Sequence, residues 1–373
     1  MKTLISCYLA MLCSAVLAAD TSTWTVSKHA RDLKPFWKSE TMVGESVLFL
    51  KEPGAKEVSA SLLFTPTKIL SVKSSSGDTT YTEGKDYVVN PAAGTLVIPP
   101  DSMIPVQTEA DVTRADGTQM FRLTRRNGKG EIRFGGQHEY QDMQVVVTYT
   151  HRKNEWKVPP AQFAAKALPR TLKKLKKHQP VSMVLFGDSI STGCNASKWA
   201  NTAPFQPFYG DLLVQQLETA YKSKITLTNF SKGGMTSGWG CQNIQPVAAV
   251  NADLVILAWG MNDGCPANEF IANLRKQITD VRKINPTAEF ILVATMLPNG
   301  EWIAVNPDRQ IAYRDAMLSI TEPGVAIANV TSVWEGLLKR KKHFDITGNG
   351  VNHPNDFGHR LYAQVLAALL IKQ

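Results

Sequence analysis

A chain of 373 residues is longer than the ~100 to 200 residues that one domain usually takes, so two or three domains are expected. Its composition, 43% hydrophobic and 20% charged, is that of a globular protein, with no internal repeat or low-complexity tract. The net charge of +9 comes without the interleaved aromatics or motifs of nucleic-acid-binding proteins, so no nucleic acid is expected as a partner.

The opening stretch, MKTLISCYLAMLCSAVLAAD, sets Lys2 before an apolar run and small residues at Ala15 to Ala19. This is the layout of a cleavable secretory signal, assigned to residues 1–18, and it implies a secreted or periplasmic protein. The apolar run is shorter than the ~20 residues that span a bilayer, and no later stretch is apolar enough to do so. Removing the leader takes Cys7 and Cys13 with it and leaves Cys194, Cys241 and Cys265. One disulfide and one thiol is the simplest count in an oxidising compartment. The spacing of these cysteines is not that of a zinc site.

Residues 19–160 read as an all-β sandwich, jelly-roll-like. The segments SVLFLKE, VSASLLFT, GTLVIPP, GEIRFGG and MQVVVTYTH are β-rich, and SSSGDTT and NPAAGT supply turns. Residues 161–180 change to Pro, Ala and Lys and read as a partly helical connector. Two Lys-rich runs, TLKKLKKH (171–178) and LKRKKH (338–343), are expected to be solvated faces rather than docking sites for acidic polymers.

From 181 to 373 strands and helices alternate. VSMVLFG, KITLTNF, ADLVILAW, AEFILVAT and VAIANV are nearly continuous apolar runs, as in parallel strands covered on both faces. Phe270, Leu274, Ile278 and Val281 follow a helical repeat after Pro266, and Phe357, Leu361, Val365 and Leu369 do so near the C-terminus. The fold class is therefore α/β, a three-layer α/β/α sandwich on a parallel sheet.

In such a sheet ligands bind beyond the carboxyl ends of the strands. The loops there carry Asp188 and Ser189, then Gly233 and Gly234 in NFSKGGMTS, then Gly260 and Asn262 in WGMND; His353 stands in GNGVNHPNDFGH before the last helix. These residue types suit acyl transfer. Ser189 is the candidate nucleophile and His353 the base that takes its proton. The backbone N–H groups of Ser189 and Gly234, with the Asn262 amide, are candidate oxyanion donors. Asp188 is expected to fix the nucleophile loop, and His359 to be structural.

The blocks FGDSIS, NFSKGGMTS, GMND and NHPNDFGH resemble, in this order, those of the SGNH hydrolases, also called GDSL esterases. The resemblance covers 181–373, and the GxSxG elbow of other hydrolases is absent. It implies Ser189 as nucleophile, Gly234 and Asn262 as oxyanion donors, and His353 as base. It departs from the family at one place: the aspartate usual three residues before the histidine is here Gly350. Either a Ser–His dyad held by a backbone carbonyl is expected, or a substitute acceptor, for which Asp345 is favoured over Asn349 and Asn352. Cys241 and Cys265 follow the second and third blocks, so a disulfide tying those loops is expected, with Cys194 as a competitor. The NAS, NFS and NVT matches to the glycosylation acceptor at 195, 229 and 329 are set aside as noise.

Export, and a β-sandwich ahead of the catalytic part, are similar to two-domain carbohydrate acetylesterases. The expected function is a secreted serine esterase that removes O-acyl groups, above all O-acetyl, from a carbohydrate. Trp199, Trp239 and Trp302 lie in loops, where they either stack on sugar rings or pack under the loops. A lipase or lysophospholipase, an O-acetyltransferase and a non-catalytic carbohydrate-binding protein are the alternatives. No metal or organic cofactor is implied, the partner is an acylated carbohydrate, and no oligomeric state is fixed.

Overall fold

The computed structural model describes residues 33–159, 161–320 and 322–372. The expected leader, with Cys7 and Cys13, lies outside them. The N-terminal half is rich in strands: β1 (Thr41–Lys51), β2 (Val58–Ser61), β3 (Pro66–Ser74), β4 (Thr80–Tyr81), β5 (Val88–Asn90), β6 (Thr95–Ile98), β7 (Val106–Thr108), β8 (Thr113–Arg114), β9 (Glu131–Ile132) and β10 (Gln144–His151). A five-stranded sheet runs β4-β3-β10-β1-β7 and a three-stranded sheet runs β2-β6-β5. The strand β10 shows why this sheet forms. Its residues alternate between the core and the other face, so that Val145, Val147 and Tyr149 are fully buried while Val146, Thr148 and Thr150 are not.

The sequence reading missed β3, although it is the antiparallel partner of β10 along most of that strand's length. Lys68 and Lys73 interrupt its apolar pattern, and only one of its faces is buried.

The C-terminal half carries β11 (Val181–Gly187), β12 (Ile225–Asn229), β13 (Leu254–Ala258), β14 (Glu289–Ala294) and β15 (Val325–Asn329), all at the expected places. They form one parallel sheet in the order β12-β11-β13-β14-β15. Alternate residues serve two cores. Val184, Phe186, Val255 and Leu257 pack with Phe270, Leu274, Ile278 and Val281 of the helix Ala267–Ile284. Met183, Leu185, Leu254 and Ile256 face the opposite core, with Leu361, Val365 and Leu369 of the helix Asp356–Leu370. Two helical layers about a parallel sheet follow from that alternation.

The segment expected to be a connector contains a packed helix, Pro169–Lys176, whose Leu172 and Leu175 are buried while Lys173 and Lys176 point outward. Its first turn is held by Glu289, which accepts from the N–H groups of Arg170 and Thr171 at 2.8 Å.

The second basic run is a solvated face only in part: Lys339, Arg340 and Lys342 are exposed, but Lys341 is buried, and for it the expectation is corrected. Arg340 donates to the carbonyls of Leu62 and Ala93, both at 2.9 Å. The Lys341 ammonium is fully buried 2.7 Å from Glu45, whose other oxygen accepts from the Tyr149 hydroxyl at 2.6 Å. These cations fasten the two halves together, because Lys341 meets the fully buried Glu45 of β1 and Arg340 meets the main-chain carbonyls that follow β2 and precede β6. Lys341→Ala would leave Glu45 buried without its cation, which is expected to cost about 3 to 5 kcal/mol. The measurement is the chemical-denaturation midpoint.

The helix Asp356–Leu370 is buried all round. The sheet covers one side, and the N-terminal half covers another, where Arg360 donates to the Gly44 carbonyl at 2.6 Å. The two halves thus share one apolar cluster.

Candidate active site

Ser189 stands just beyond the end of β11. Its Oγ lies 2.8 Å from Nε2 of His353. Both residues are nearly buried, at 3% and 5% exposure. Asp188 accepts from the Ile190 N–H at 3.0 Å, which shapes the turn that presents the serine. Burial pushes the Asp188 carboxyl up to about 7, opposed by the backbone bond from Ile190.

His353 sits in a loop organised by one amide. Oδ1 of Asn349 accepts from the backbone N–H groups of Val351, Asn352 and His353 at 2.9 to 3.0 Å. The loop behind β14 braces it, as Nδ2 of Asn299 donates to the Gly350 carbonyl at 2.9 Å. Burial, followed by the nearby His359, holds the His353 imidazole down at about 3. It is therefore neutral near pH 7 and able to accept the serine proton. His359 lies on the last helix, with Nε2 3.2 Å from the Cys194 carbonyl.

The far side of the imidazole is not met by Asp345, and that expectation is corrected. Asp345 accepts from the N–H of Leu48 at 2.8 Å and of Lys342 at 2.7 Å, and lies 3.8 Å from the Lys341 ammonium. It caps the short helix His343–Ile346 and anchors it to β1. Burial pushes its carboxyl up, opposed by Lys341. Nδ1 of His353 instead lies 2.8 Å from Oδ1 of Asn195, further along the nucleophile loop. Asn349 and Asn352 bond within their own loop.

Gly350 shows why no aspartate stands where the resemblance places one. Its φ is +77°, and a Cβ built there would lie 2.3 Å from the Tyr140 hydroxyl oxygen. The tyrosine comes from the N-terminal half, is fully buried, and donates to the Arg133 carbonyl at 2.9 Å. It fills the space that a side chain at 350 would need.

The candidate oxyanion donors are held by cross-links between loops. The N–H of Lys232 donates to the Gly187 carbonyl at 3.0 Å, tying the second loop to the end of β11. Gly234 has φ +75°, a conformation that L side chains rarely adopt. Asn262 donates from Nδ2 to the Met235 carbonyl at 3.1 Å and retains a second N–H, as any carboxamide does. Asp263 accepts from the N–H groups of Ser237 at 3.0 Å and Gly260 at 3.1 Å, locking the third loop to the helix Ser237–Gln242.

Asn195 and Asp263 escaped the sequence reading, and Asn349 entered it only as a less favoured acceptor for the imidazole, not as the organiser of the His353 loop. Asn195 was visible only as a glycosylation match, yet its side chain is enclosed, at 1% exposure. Asp263 was the last letter of the third block.

The expected disulfide is also corrected. Cys241 is a thiol that donates to the Asn273 carbonyl at 3.3 Å, and Cys265 is a thiol 3.9 Å from the Tyr313 hydroxyl. They face different helices, Ala267–Ile284 and Pro307–Leu318. Cys194 is buried against the Thr192 hydroxyl at 3.3 Å. Of the loop tryptophans, Trp239 packs on Phe186 and Trp259, and Trp302 packs on the cluster that includes Tyr140. Trp199 is half-buried. Among the described residues no His, Cys, Asp or Glu cluster is placed to hold a metal ion, and no helix is long and apolar enough to cross a membrane.

This arrangement of strand-end loops is that of an SGNH hydrolase fold. Residues 185–361 match the model of the GDSL-like lipase/acylhydrolase family, so this part of the chain is a domain of that family. Among solved structures, it is similar to a two-domain esterase (CEX) active on acetylated mannans, at 19% identity and a TM-score of 0.45. That match covers 56% of this chain and 54% of the other, so the alignment spans about half of the two-domain esterase. It is similar also to the lipase Lip_vut3 from a goat rumen metagenome, at 16% identity and a TM-score of 0.40 over 51% of this chain and 97% of that one. A carbohydrate esterase family 3 protein from Talaromyces cellulolyticus matches at 17% identity and a TM-score of 0.38, over 50% and 94% of the two chains. The comparison with curated proteins found no match.

Proposed function

We propose that the protein is a serine esterase that hydrolyses O-acyl esters of a carbohydrate, above all O-acetyl esters, and that it acts outside the cytoplasm. The 2.8 Å contact between Ser189 Oγ and His353 Nε2 carries this reading. As Oγ bonds to the acyl carbon, its proton passes to Nε2. The carbonyl electron pair moves onto oxygen, toward the N–H groups of Ser189 and Gly234 and the Asn262 amide. Collapse of that intermediate breaks the ester C–O bond, and the imidazolium returns its proton to the departing sugar hydroxyl. Water, deprotonated by the same imidazole, then releases the acid from Ser189.

The surface around the serine supports a hydroxyl-rich alcohol. In the loops that follow β11, β12 and β13, Thr192, Ser231, Lys232, Thr236 and Asn262 are partly or fully accessible and offer hydrogen-bonding groups, beside the partly accessible Phe230, Met235 and Trp239. The test is acetate release from a panel of acetylated glycans, run beside long-chain esters, with Ser189→Ala protein as control. Release from glycans but not from long-chain esters is expected, and the reverse would make the protein a lipase.

The depressed imidazole gives a pH prediction. A histidine at its ordinary value of about 6.5 would lose basic function below pH 6. With His353 held at about 3, the share of its neutral form stays above nine-tenths down to about pH 4. The acid limb of kcat/KM due to this group is therefore expected below about pH 4, measured by acetate release across buffers. The same shift makes a stability statement: the unfolded imidazole binds a proton as pH falls below about 6.5 and the folded one does not, so this group lowers stability progressively in acid.

A further inference from the structure

We infer that Asn195 is the positioning residue of the catalytic pair, and that the N-terminal half sets its orientation by clamping its amide with backbone carbonyls. The inference rests on the reading of Ser189 and His353 as nucleophile and base.

The orientation of a carboxamide is decided by its neighbours. Nδ2 of Asn195 lies 2.9 Å from the Gln137 carbonyl, 3.3 Å from the Gly135 carbonyl and 3.2 Å from the Gly348 carbonyl. Three acceptors converge there, so that atom must be the NH₂ group, and the oxygen must be the atom facing His353. An amide oxygen only accepts, hence Nδ1 of the imidazole carries the hydrogen and Nε2 presents its lone pair to Ser189. A triad normally takes this tautomer choice from a carboxylate, and an asparagine free to flip would not secure it. Here flipping would set the oxygen against three carbonyls.

Two of those three carbonyls belong to the N-terminal half. The segment that carries them is itself pinned, as the Gly135 N–H donates to the Asn349 carbonyl at 3.1 Å. The Gln141 amide donates to the Asn195 carbonyl at 3.0 Å. Asn195 adopts φ +63°, a left-handed conformation that asparagine tolerates better than most residues, and it turns the side chain back toward the imidazole. The strand-rich half therefore completes the catalytic arrangement from behind.

The test uses the full chain. Nitrogen-15 NMR of His353 in the unmutated protein is expected to show the proton on Nδ1; a proton on Nε2 overturns the proposal whatever the activity. Asn195→Ala is expected to lower kcat about 10²- to 10⁴-fold, with KM changed less than about threefold, and to lose the single-tautomer signature. Asn195→Asp is isosteric but sets a carboxylate oxygen against the three carbonyls. It is expected to remain at least about tenfold below the unmutated protein at pH 7 to 8. Asn195→Ala within threefold of the unmutated rate, or Asn195→Asp equal to it, overturns the proposal. If Ser189→Ala retains activity, the underlying reading fails instead, and the two failures are distinct.

Discussion

Ser189→Ala is expected to lower kcat by about 10⁵-fold or more while the protein folds as before. The size of the loss follows from the covalent step, since among the described residues Ser189 Oγ is the group hydrogen-bonded to Nε2 of His353. The oxyanion donors remain in place and account for whatever rate is left over water. Little stability is at stake, because the hydroxyl makes one bond to a neutral imidazole, a contribution of about 1 kcal/mol. Parallel measurement of acetate release and the denaturation midpoint checks both halves of this result. Retention of more than a hundredth of the rate in a protein free of the unmutated enzyme would count against Ser189 as nucleophile.

Gly350→Asp would write the family's usual aspartate into the last block, and it is expected to damage the protein. A Cβ at this position falls 2.3 Å from the Tyr140 oxygen and 2.4 Å from its ring carbon. The tyrosine is buried between Arg133 and Phe344 and has no free space to yield. The left-handed backbone adds strain of about 1 to 2 kcal/mol for a residue with a side chain, and overpacking adds about 1 to 3 kcal/mol. A loss of about 3 kcal/mol or more is expected in chemical denaturation, together with lower activity from the displaced His353 loop. An aspartate variant as stable and as active as the unmutated protein would show that the motif, and not the packing, governs this site.

The parallel half of the fold was legible because each strand there is buried on both faces and reads as an unbroken apolar run. Val181–Gly187 and Leu254–Ala258 are examples. The antiparallel half was legible only where alternation is clean, as in Gln144–His151, and not in Pro66–Ser74, where lysines occupy the open face. The serine and histidine were visible because their chemistry fixes both residue type and local pattern. Asn195 was not, for its role depends on contacts with residues far away in the chain, at 135, 137 and 353. Asp345 drew attention as a carboxylate near His353 in sequence, yet local proximity says nothing about which way a short helix turns its side chains. The burial of Lys341 was equally hidden, since a lysine run reads as surface until its acceptors on Glu45 and Ser61 are seen.

The grip on Asn195 is made by main-chain oxygens, and that has a consequence for anyone dissecting the protein. Alanine at Gln137 removes an exposed side chain and leaves the carbonyl in its place, so it would be silent, whereas alanine at Gly135 would bring a Cβ to 2.7 Å from the Tyr140 ring and 3.0 Å from the Gly348 carbonyl and press on the grip itself. Deleting or inserting a single residue there would shift the spacing of the carbonyls and unhitch an amide in the other half of the molecule. The dependence between the two halves is therefore written in the spacing of the main chain and in the glycine that lets it pass so close, more than in the side chains it carries.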